Sequence, residues 1–251
     1  MTGIDYADTY DPDTDFDRYY TIATARRIAA RISVGDRVLE LGCATGLMTS
    51  KTLALSAPSC WVGVDRSEIF LHRAWQRGLL GARFELGDLD DLQVGTKRYE
   101  HILATNVLHE LADPVEFLRR CAQLLTPGGM IHITLQNPHS MHRLCALEMG
   151  LISSLDEISD RGNQWGTRGL WSAEELQSLA ERAGLSVAAR EGVMLKPLPN
   201  SLMSQLPEDV IEGFIRGAVH LPDVSAMNYL VLTPQTQFDF AVTESLVCTD
   251  D

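Results

Sequence analysis

Residues 38–46 read VLELGCATG, and this stretch decides the fold. A short apolar run, typical of a buried strand, enters a loop that contains Gly42 and Gly46, and residues 47–55 follow with a helical pattern. Glycines let the backbone turn tightly and approach a ligand closely. The start of a helix presents unpaired amide groups and a partial positive charge. The stretch therefore predicts a strand, a loop and a helix that together bind a polar, partly anionic ligand.

The glycine spacing separates this loop from two other nucleotide-binding loops. The dinucleotide fingerprint requires G-x-G-x-x-G, whereas here Ala44 lies between Gly42 and Gly46, and Leu47 follows them. The Walker loop ends in Gly-Lys-Ser or Gly-Lys-Thr, which this loop lacks. The spacing therefore argues against the common NAD(P) and nucleoside triphosphate loops.

Short apolar runs and helical patterns alternate along the chain. Strands are predicted at residues 37–41, 61–64, 83–86, 101–104 and 130–135, with a turn at 127–129 and helices at 18–32, 47–55, 67–77 and 114–125. This alternation indicates βαβ units in a parallel sheet, and right-handed crossovers place helices on both of its faces. Beyond residue 136, helices are predicted at 139–152 and 172–183 and strands at 185–190 and 229–233.

Five landmarks in this order resemble the class I methyltransferases that use S-adenosylmethionine (SAM), and residues 137–143 resemble a stretch in bacterial small-molecule methyltransferases. The five landmarks are Glu40, Gly42 and Gly46 of the loop, VGVD at 62–65, ELGDL at 85–89, ILATNVLHEL at 102–111 and LTPGG at 125–129. Ala44 stands where the first motif of the family has its middle glycine. The landmarks cover residues 37–135. The resemblance implies SAM as the cofactor and S-adenosylhomocysteine (SAH) as its product.

The resemblance also implies the architecture. We expect a doubly wound α/β fold, in which a mostly parallel sheet of seven strands ends with an antiparallel strand. An acidic arm and a cap helix are expected in residues 1–36, and the SAM-binding core in 37–136. Residues 137–227 are expected to complete the core and to carry helical cap and lid segments, and residues 228–251 the last strand and a tail.

Side chains that hold the cofactor follow from the same resemblance. The acid after the second strand accepts both ribose hydroxyls in this family, so Asp65 is the expected ribose ligand; capping the helix at Ser67 is the alternative. Asp88 is expected near the adenine amino group, with Leu89 packed on the ring, and a solvated turn is the alternative. The predicted cofactor residues are Tyr19 (or Tyr20), Glu40, Gly42, Cys43, Ala44, Gly46, Asp65, Arg66, Gly87, Asp88, Leu89 and Asn106.

Histidines are the candidates for a general base, which is needed only if the attacking atom must lose a proton. His109 leaves the fourth strand at the carboxyl edge, where ligands bind; completing a helix start is the alternative. His139 and His142, next to Arg143, leave the fifth strand at the same edge. We expect them to contact the substrate or to lie on a helix surface. A His-x-x-His pair has no third ligand, so no metal is predicted.

Two segments outside these motifs carry weaker signals. Trp165 and Trp171 flank a glycine-rich linker and are expected either to line a mobile lid over the substrate or to pack in the core. Residues 1–17 are rich in aspartate, but an EF-hand loop starting at residue 11 would need a glycine and a glutamate where Phe16 and Ile22 stand. We expect a solvated, mobile acidic arm.

Composition limits the partners. The 251 residues carry a formal net charge of -13, which disfavours nucleic acid and anionic membranes. The five cysteines form no C-x-x-C pair, which favours reduced thiols and a cytoplasmic protein. No signal peptide is recognised, and no apolar run approaches the ~20 residues that span a bilayer. We expect a monomer or a homodimer.

The sequence as a whole predicts a methyltransferase that acts on an oxygen or nitrogen of a small molecule, in natural-product or other secondary metabolism. One alternative is an NAD(P)-dependent oxidoreductase on a related sheet, against which the glycine spacing argues. The other is a catalytically silent protein with the SAM-binding fold, against which the intact Glu40, Gly42, Gly46 and Asp65 argue.

Overall fold

A computed structural model describes residues 10–235 and shows one seven-stranded sheet with helices on both faces. The strands are β1 (Arg37–Leu41), β2 (Cys60–Asp65), β3 (Ala82–Leu86), β4 (Tyr99–Thr105), β5 (Leu125–Gln136), β6 (Leu185–Gly192) and β7 (Met227–Pro234). The helices are α1 (Arg18–Ala29), α2 (Leu47–Leu53), α3 (Glu68–Gln76), α4 (Pro114–Gln123), α5 (Met141–Glu148), α6 (Asp160–Gln164), α7 (Ala173–Arg182), α8 (Asn200–Met203) and α9 (Glu208–Gly217). Short 3-10 turns cover Leu108–Glu110, Ala218–His220 and Pro222–Val224.

The strand order is β3-β2-β1-β4-β5-β7-β6. Strands β1 to β5 are parallel, and β7 lies antiparallel between β5 and β6. The predicted doubly wound sheet with an antiparallel last strand is confirmed. Because β7 opposes both of its neighbours, β6 runs in the same direction as β5. The segment that follows β6 therefore leaves the sheet at the same edge as the loops that follow β1, β2 and β4.

The predicted turn at residues 127–129 is an irregularity inside β5 rather than a break before it. Leu125 already pairs with Tyr99, and the next pair joins Met130 to His101, so the residues between form a bulge. Gly128 has φ +80°, a left-handed conformation that a glycine adopts without strain. The strand after these glycines was predicted, but the pairing of Leu125 before them was missed.

Alternate residues along the strands supply two cores. Ile102 on β4 and Ile131 on β5 pack with Leu118 of α4 and Leu176 of α7. On the other face of the sheet, Leu103 packs with a cluster built from α1 and β7, which includes Ile28 and Tyr229. Each fully buried aliphatic side chain contributes roughly 1.5–3 kcal/mol. The two cores fix the strand ends and so position the loops that follow them.

The acidic residues 10–17 fold onto the core. Phe16 is buried, and the aspartates on either side of it reach arginines of α3 and α6. The ion pairs join Asp11 and Asp13 to Arg73, Asp13 also to Arg77, and Asp15 to Arg161. The prediction of a solvated, mobile arm is wrong for these residues, because their charges are matched by arginines far away in the sequence. Asp5 and Asp8 lie outside the described residues.

Helices in the described part of the chain are all too short or too polar to cross a membrane.

Candidate functional site

A cleft of about 650 Å³ lies over the carboxyl ends of β1, β2 and β4. In sheets of this kind the strand order reverses beside the first strand, here between β1 and β4, and the crevice at that point takes the ligand. Its walls are formed by Tyr10, Pro12, Thr21, Glu40, Gly42, Cys43, Ala44, Thr45, Leu47, Met48, Asp65, Arg66, Ser67, Phe70, Asp88, Leu89, Asp90, Thr105, Asn106, Val107, Glu110, Leu111 and Arg168.

The loop after β1 turns through left-handed backbone conformations. Gly42 has φ +81°, and a Cβ atom at this position would collide with Val107 Cγ1, so the site requires glycine. Ala44 has φ +44°, which is strained for a residue with a side chain. The amides of Gly42 and Cys43 both donate to the Val64 carbonyl, at 2.8 and 3.0 Å. The loop is therefore fixed against β2, and Gly42, Cys43 and Ala44 line the cleft.

Gly46 and Gly87 lie in close contact with neighbouring elements. A Cβ at Gly46 would lie 3.1 Å from Phe84 Cζ and 3.3 Å from Ala74 Cβ, so this glycine faces β3 and α3 rather than the cleft. Gly87 is similar, since a Cβ there would meet Val64 at 2.9 Å. Close packing of neighbouring elements requires these two glycines, and their contact with the cofactor stays a prediction.

Asp65 ends β2 at the cleft and is almost completely buried. Its Oδ2 accepts from the Ala44 amide at 2.8 Å, and its Oδ1 accepts from the Ser67 amide at 2.9 Å. Burial raises the pKa of this carboxyl, and the two amide hydrogen bonds lower it. Ser67 itself caps α3 by accepting from the Phe70 amide. A carboxylate offers about four acceptor positions, so it can also accept hydrogen bonds from ribose hydroxyls.

Glu40 lies beneath the loop, with only 1% of its surface exposed. Its Oε2 accepts from the Thr49 hydroxyl and, at 2.9 Å, from the Trp61 indole nitrogen. Burial raises the pKa of Glu40 to about 7. The carboxyl therefore ties β1 to α2 and β2, and it does so at the inner wall of the cleft.

The opposite wall comes from the loops after β3 and β4. Asn106 has φ +58°, and its amide donates to the Thr134 carbonyl at 2.9 Å. Ala44 and Asn106 are the non-glycine residues with positive φ among residues 10–235, and both line the cleft. Asp88, Leu89 and Arg66 also line it, as predicted from the sequence. Arg66 pairs with Glu110 at 3.0 Å.

Tyr19 does not reach the cleft. Its ring packs against Phe16 at a centroid distance of 5.3 Å, and its hydroxyl accepts from Arg18 at 3.1 Å. The tyrosine of the cleft wall is Tyr10. No sequence pattern pointed to this residue, because its position depends on the fold of the acidic arm, which was expected to be mobile.

His109 is largely buried in a 3-10 turn, and burial lowers its pKa to about 4. Together with Leu135, Gln136 and Trp171 it lines a small separate cavity of about 10 Å³. The structure does not bring His109 to the wall of the main cleft. Its carbonyl accepts from the Arg168 amide at 2.7 Å, which fixes the turn to the segment before α7.

The three predicted residues after β5 have different surroundings. His139 is exposed. Arg143 donates to the carbonyls of Leu155 and Glu157 at 2.8 and 2.6 Å, so it fastens the segment between α5 and α6. His142 Nδ1 is buried without a hydrogen-bond partner among the described residues, and its pKa is lowered to about 3, by burial first and then by nearby Lys196 and Arg143.

The two tryptophans have different surroundings. The Trp165 ring lies 4.7 Å from the Tyr10 ring, and the Arg161 guanidinium stacks on it at 4.0 Å. Trp165 thus adjoins the cleft wall. Trp171 packs against the core beneath α7 and beside Gly169. No group of three histidine, cysteine or carboxylate side chains in residues 10–235 is placed to hold a metal ion.

Comparison with known proteins places this fold and cleft in a class. A family model described as a methyltransferase domain matches residues 15–189, more than half of the chain, and the chain belongs to that family. By family it belongs with the class I SAM-dependent methyltransferases, as the sequence motifs predicted. The oxidoreductase alternative is thereby excluded.

Named relatives agree with this class. The chain is 28% identical over 169 residues to a ubiquinone biosynthesis O-methyltransferase of Nitrobacter winogradskyi, covering 65% of this chain and 61% of that protein. It therefore spans less than two thirds of that relative. A SAM-dependent methyltransferase from Mesorhizobium loti shares the fold with a TM-score of 0.59 and 19% identity, over 84% of this chain and 97% of the other. A magnesium protoporphyrin IX methyltransferase from Synechocystis, with bound SAH, shares it with a TM-score of 0.56 and 16% identity, over 87% and 84%.

The residues of the cleft fit SAM. Gly42, Cys43 and Ala44 line the cleft beside the buried Asp65 carboxylate, which lies at the end of β2.

Proposed function

We propose that the protein methylates a hydroxyl oxygen of a small molecule. The observation that carries the proposal is that the acidic arm forms part of the cleft wall. Tyr10 and Pro12 line it, and ion pairs from neighbouring aspartates hold the arm against α3 and α6. A partly enclosed cleft of this kind suits a small acceptor rather than a polymer. The relatives named as ubiquinone biosynthesis O-methyltransferases support oxygen as the attacked atom.

In this proposal, different residues of the cleft bind different parts of SAM. The backbone from Gly42 to Ala44 faces the amino-acid part, and Asp65 accepts the ribose hydroxyls. Asp88 accepts from the adenine amino group, and Leu89 packs on the ring. Glu40 acts through the loop as a positioning residue, because its hydrogen bonds join it to Thr49 and Trp61 below the cleft.

When bound, SAM supplies a methyl carbon attached to a positively charged sulfur. The acceptor oxygen forms a bond to that carbon while the carbon–sulfur bond breaks, the hydroxyl proton passes to solvent, and SAH leaves. The chain aligns oxygen, carbon and sulfur and excludes competing water. The arm and the segment that carries Trp165 are the parts of the described chain best placed to exclude that water.

We further propose that the protein works in the cytoplasm and without nucleic acid. Cys43, Cys60, Cys121 and Cys145 are free thiols, which supports a reducing compartment. The net charge of -13 supports an acceptor other than nucleic acid.

The first experiment is a thermal shift with SAM, SAH, NAD and NADP in separate wells. A ligand at 100 times its Kd adds about 2.7 kcal/mol to the free energy of unfolding, so a shift with SAM and SAH alone is expected. Phenols, aliphatic alcohols, carboxylic acids and amines are then incubated with SAM, and mass spectrometry locates the added 14 Da, about one CH₂. Methylation confined to nitrogen, or to nucleic acid added in parallel, would overturn the proposal.

A further inference from the structure

A cluster of buried polar side chains lies beside the cleft and is not used by the binding of SAM. Lys196 is its centre. It follows β6, at the same sheet edge as the cleft, and only 8% of its surface is exposed. It also lies beyond residue 189, where the match to the family model ends.

The ammonium group of Lys196 has no ion pair within 4 Å and no hydrogen-bond partner in residues 10–235. Asp17 acts on it from a greater distance, but both oxygens of Asp17 have other partners. Asn200 donates to Oδ1 at 3.1 Å, and Arg161 lies 3.6 Å from Oδ2. A buried ammonium without a direct partner is costly, so its presence favours an anionic group that comes closer to it than Asp15 and Asp17 do.

Other unpartnered atoms lie in the same region. Asn200 Oδ1 and His142 Nδ1 are both buried without hydrogen-bond partners in the described part of the chain. Lys196 acts electrostatically on His142. The cluster therefore contains one positive charge and two polar atoms without hydrogen-bond partners. Such a cluster can bind a polar group of a ligand.

Contacts connect this cluster to the cleft wall. Arg161 lies 3.6 Å from Asp17 on one side, and on the other its guanidinium lies 5.3 Å from the centre of the Tyr10 ring, which lines the cleft. Asp17 and Arg161 act electrostatically on both Tyr10 and Lys196. A ligand that reaches Lys196 from the cleft would therefore pass beside Tyr10 and Arg161.

We propose that Lys196 binds an anionic oxygen of the methyl acceptor and so selects acceptors that carry an acidic hydroxyl or a carboxylate. This inference rests on the proposed function and adds the chemical class of its substrate. An acidic hydroxyl such as that of a phenol loses its proton to solvent before it binds, and the ammonium then holds the oxyanion. A carboxylate elsewhere on the acceptor would use the same ammonium as an anchor.

The test uses 4-nitrophenol, benzoate and benzyl alcohol as probes, titrated into the full-length protein saturated with SAH. Lys196→Met removes the charge at similar length, Lys196→Arg keeps it, and Lys51→Met, at an exposed position on α2, is the matched control. We expect an anionic probe to bind the wild type and to bind Lys196→Met about tenfold or more weakly, with Lys51→Met unchanged and Lys196→Arg intermediate. Benzyl alcohol is expected to bind all four proteins equally.

The outcomes distinguish a reacting oxyanion from an anchoring carboxylate as the group that Lys196 binds. They also distinguish failure of this inference from failure of the proposed function. If 4-nitrophenol binds Lys196→Met more weakly than the wild type, Lys196 contacts the reacting hydroxyl. If only benzoate shows this loss of affinity, Lys196 contacts an anchoring carboxylate. Absence of binding by both anions, or equal binding to Lys196→Met, overturns this inference while leaving the proposed function intact, provided that SAH binds. Failure of SAH to bind the wild type would instead refute the proposed function.

A second measurement does not depend on any acceptor. The sequence holds three lysines, Lys51, Lys97 and Lys196, so reductive methylation with ¹³C gives few signals to assign by NMR. The signal of Lys196 is expected to move on addition of the anionic probe, while those of the two exposed lysines stay in place. Lys196→Met is also expected to raise Tm, because it removes an unpaired buried charge. A lower Tm would show that the ammonium is paired within the protein and would overturn the inference.

Discussion

The carboxylate of Asp65 accepts a hydrogen bond from the backbone amide of Ala44 at 2.8 Å, although the two residues lie 21 positions apart. Ala44 has a strained left-handed backbone, and this hydrogen bond helps to hold it. The second carboxylate oxygen accepts from the Ser67 amide at the start of α3. Asp65 thus shapes the loop after β1 as well as facing the cleft, and its replacement is expected to affect both.

Asp65→Asn places an amide nitrogen, which cannot accept, against one of these two backbone donors. We expect the affinity for SAH to fall by roughly 1–3 kcal/mol, the usual effect of leaving a buried polar group unpaired. Isothermal titration with SAH measures it. Asp91→Asn, at an exposed position outside the cleft wall, is the control. Equal affinities for the two variants would contradict the role of Asp65.

Gly42→Ala and Gly78→Ala form a matched pair, because both glycines have positive φ, +81° and +59°. The left-handed conformation costs an alanine roughly 1–2 kcal/mol at either position. At Gly42 the new methyl group also collides with Val107, whereas Gly78 has open space. Overpacking adds about 1–3 kcal/mol, so urea denaturation is expected to show the larger loss for Gly42→Ala.

The collision itself is tested by a second substitution. Adding Val107→Ala to Gly42→Ala removes the group that the methyl meets and is expected to recover part of the lost free energy of unfolding. Equal losses in the two glycine variants, or no recovery in the double variant, would show that Gly42 is not needed for close approach.

Glu40 gives a prediction about pH. Burial raises its pKa from 4.5 to about 7, so the folded state binds more protons than the unfolded state within that range. The contribution of Glu40 to the free energy of unfolding therefore falls as pH rises through this range, by at most about 1.4 kcal/mol per pH unit. Glu40→Gln does not titrate, so its stability relative to the wild type is expected to rise between pH 5 and pH 8. Urea denaturation at both values measures it, with the exposed Glu208→Gln as control. A difference that does not depend on pH would contradict the assignment.

His109 is expected to stay neutral throughout the physiological range, since burial lowers its pKa to about 4. The profile of kcat/KM against pH, measured with an acceptor found by the screen, is therefore expected to keep its shape in His109→Gln. An inflection near pH 6.5 that is lost in this variant would restore His109 as the general base.

Sequence patterns predicted those parts of the site that are formed by one strand and the loop that directly follows it. The loop with Gly42 and the acid Asp65 were predictable because their glycines, strand and neighbouring helix adjoin them in sequence. Tyr10 and Lys196 were missed because long-range contacts place them: the arm depends on arginines of α3 and α6, and Lys196 depends on the direction of β6. Tyr19 was expected at the cofactor from the family resemblance, whereas its contacts with Phe16 and Arg18 place it outside the cleft wall.

The pairing of Asp15 with Arg161 has a consequence for the order of assembly. These residues are 146 positions apart, and a nascent chain emerges with its amino terminus first. The ion pair between the arm and Arg161 therefore cannot form until α6 has left the ribosome. A chain interrupted before α6 would already contain the strands that surround the cofactor loop, yet Tyr10 and Pro12 would lack that anchor. The acidic arm is synthesised before the sheet, but its ion pair with α6 forms only after most of the strands have been made.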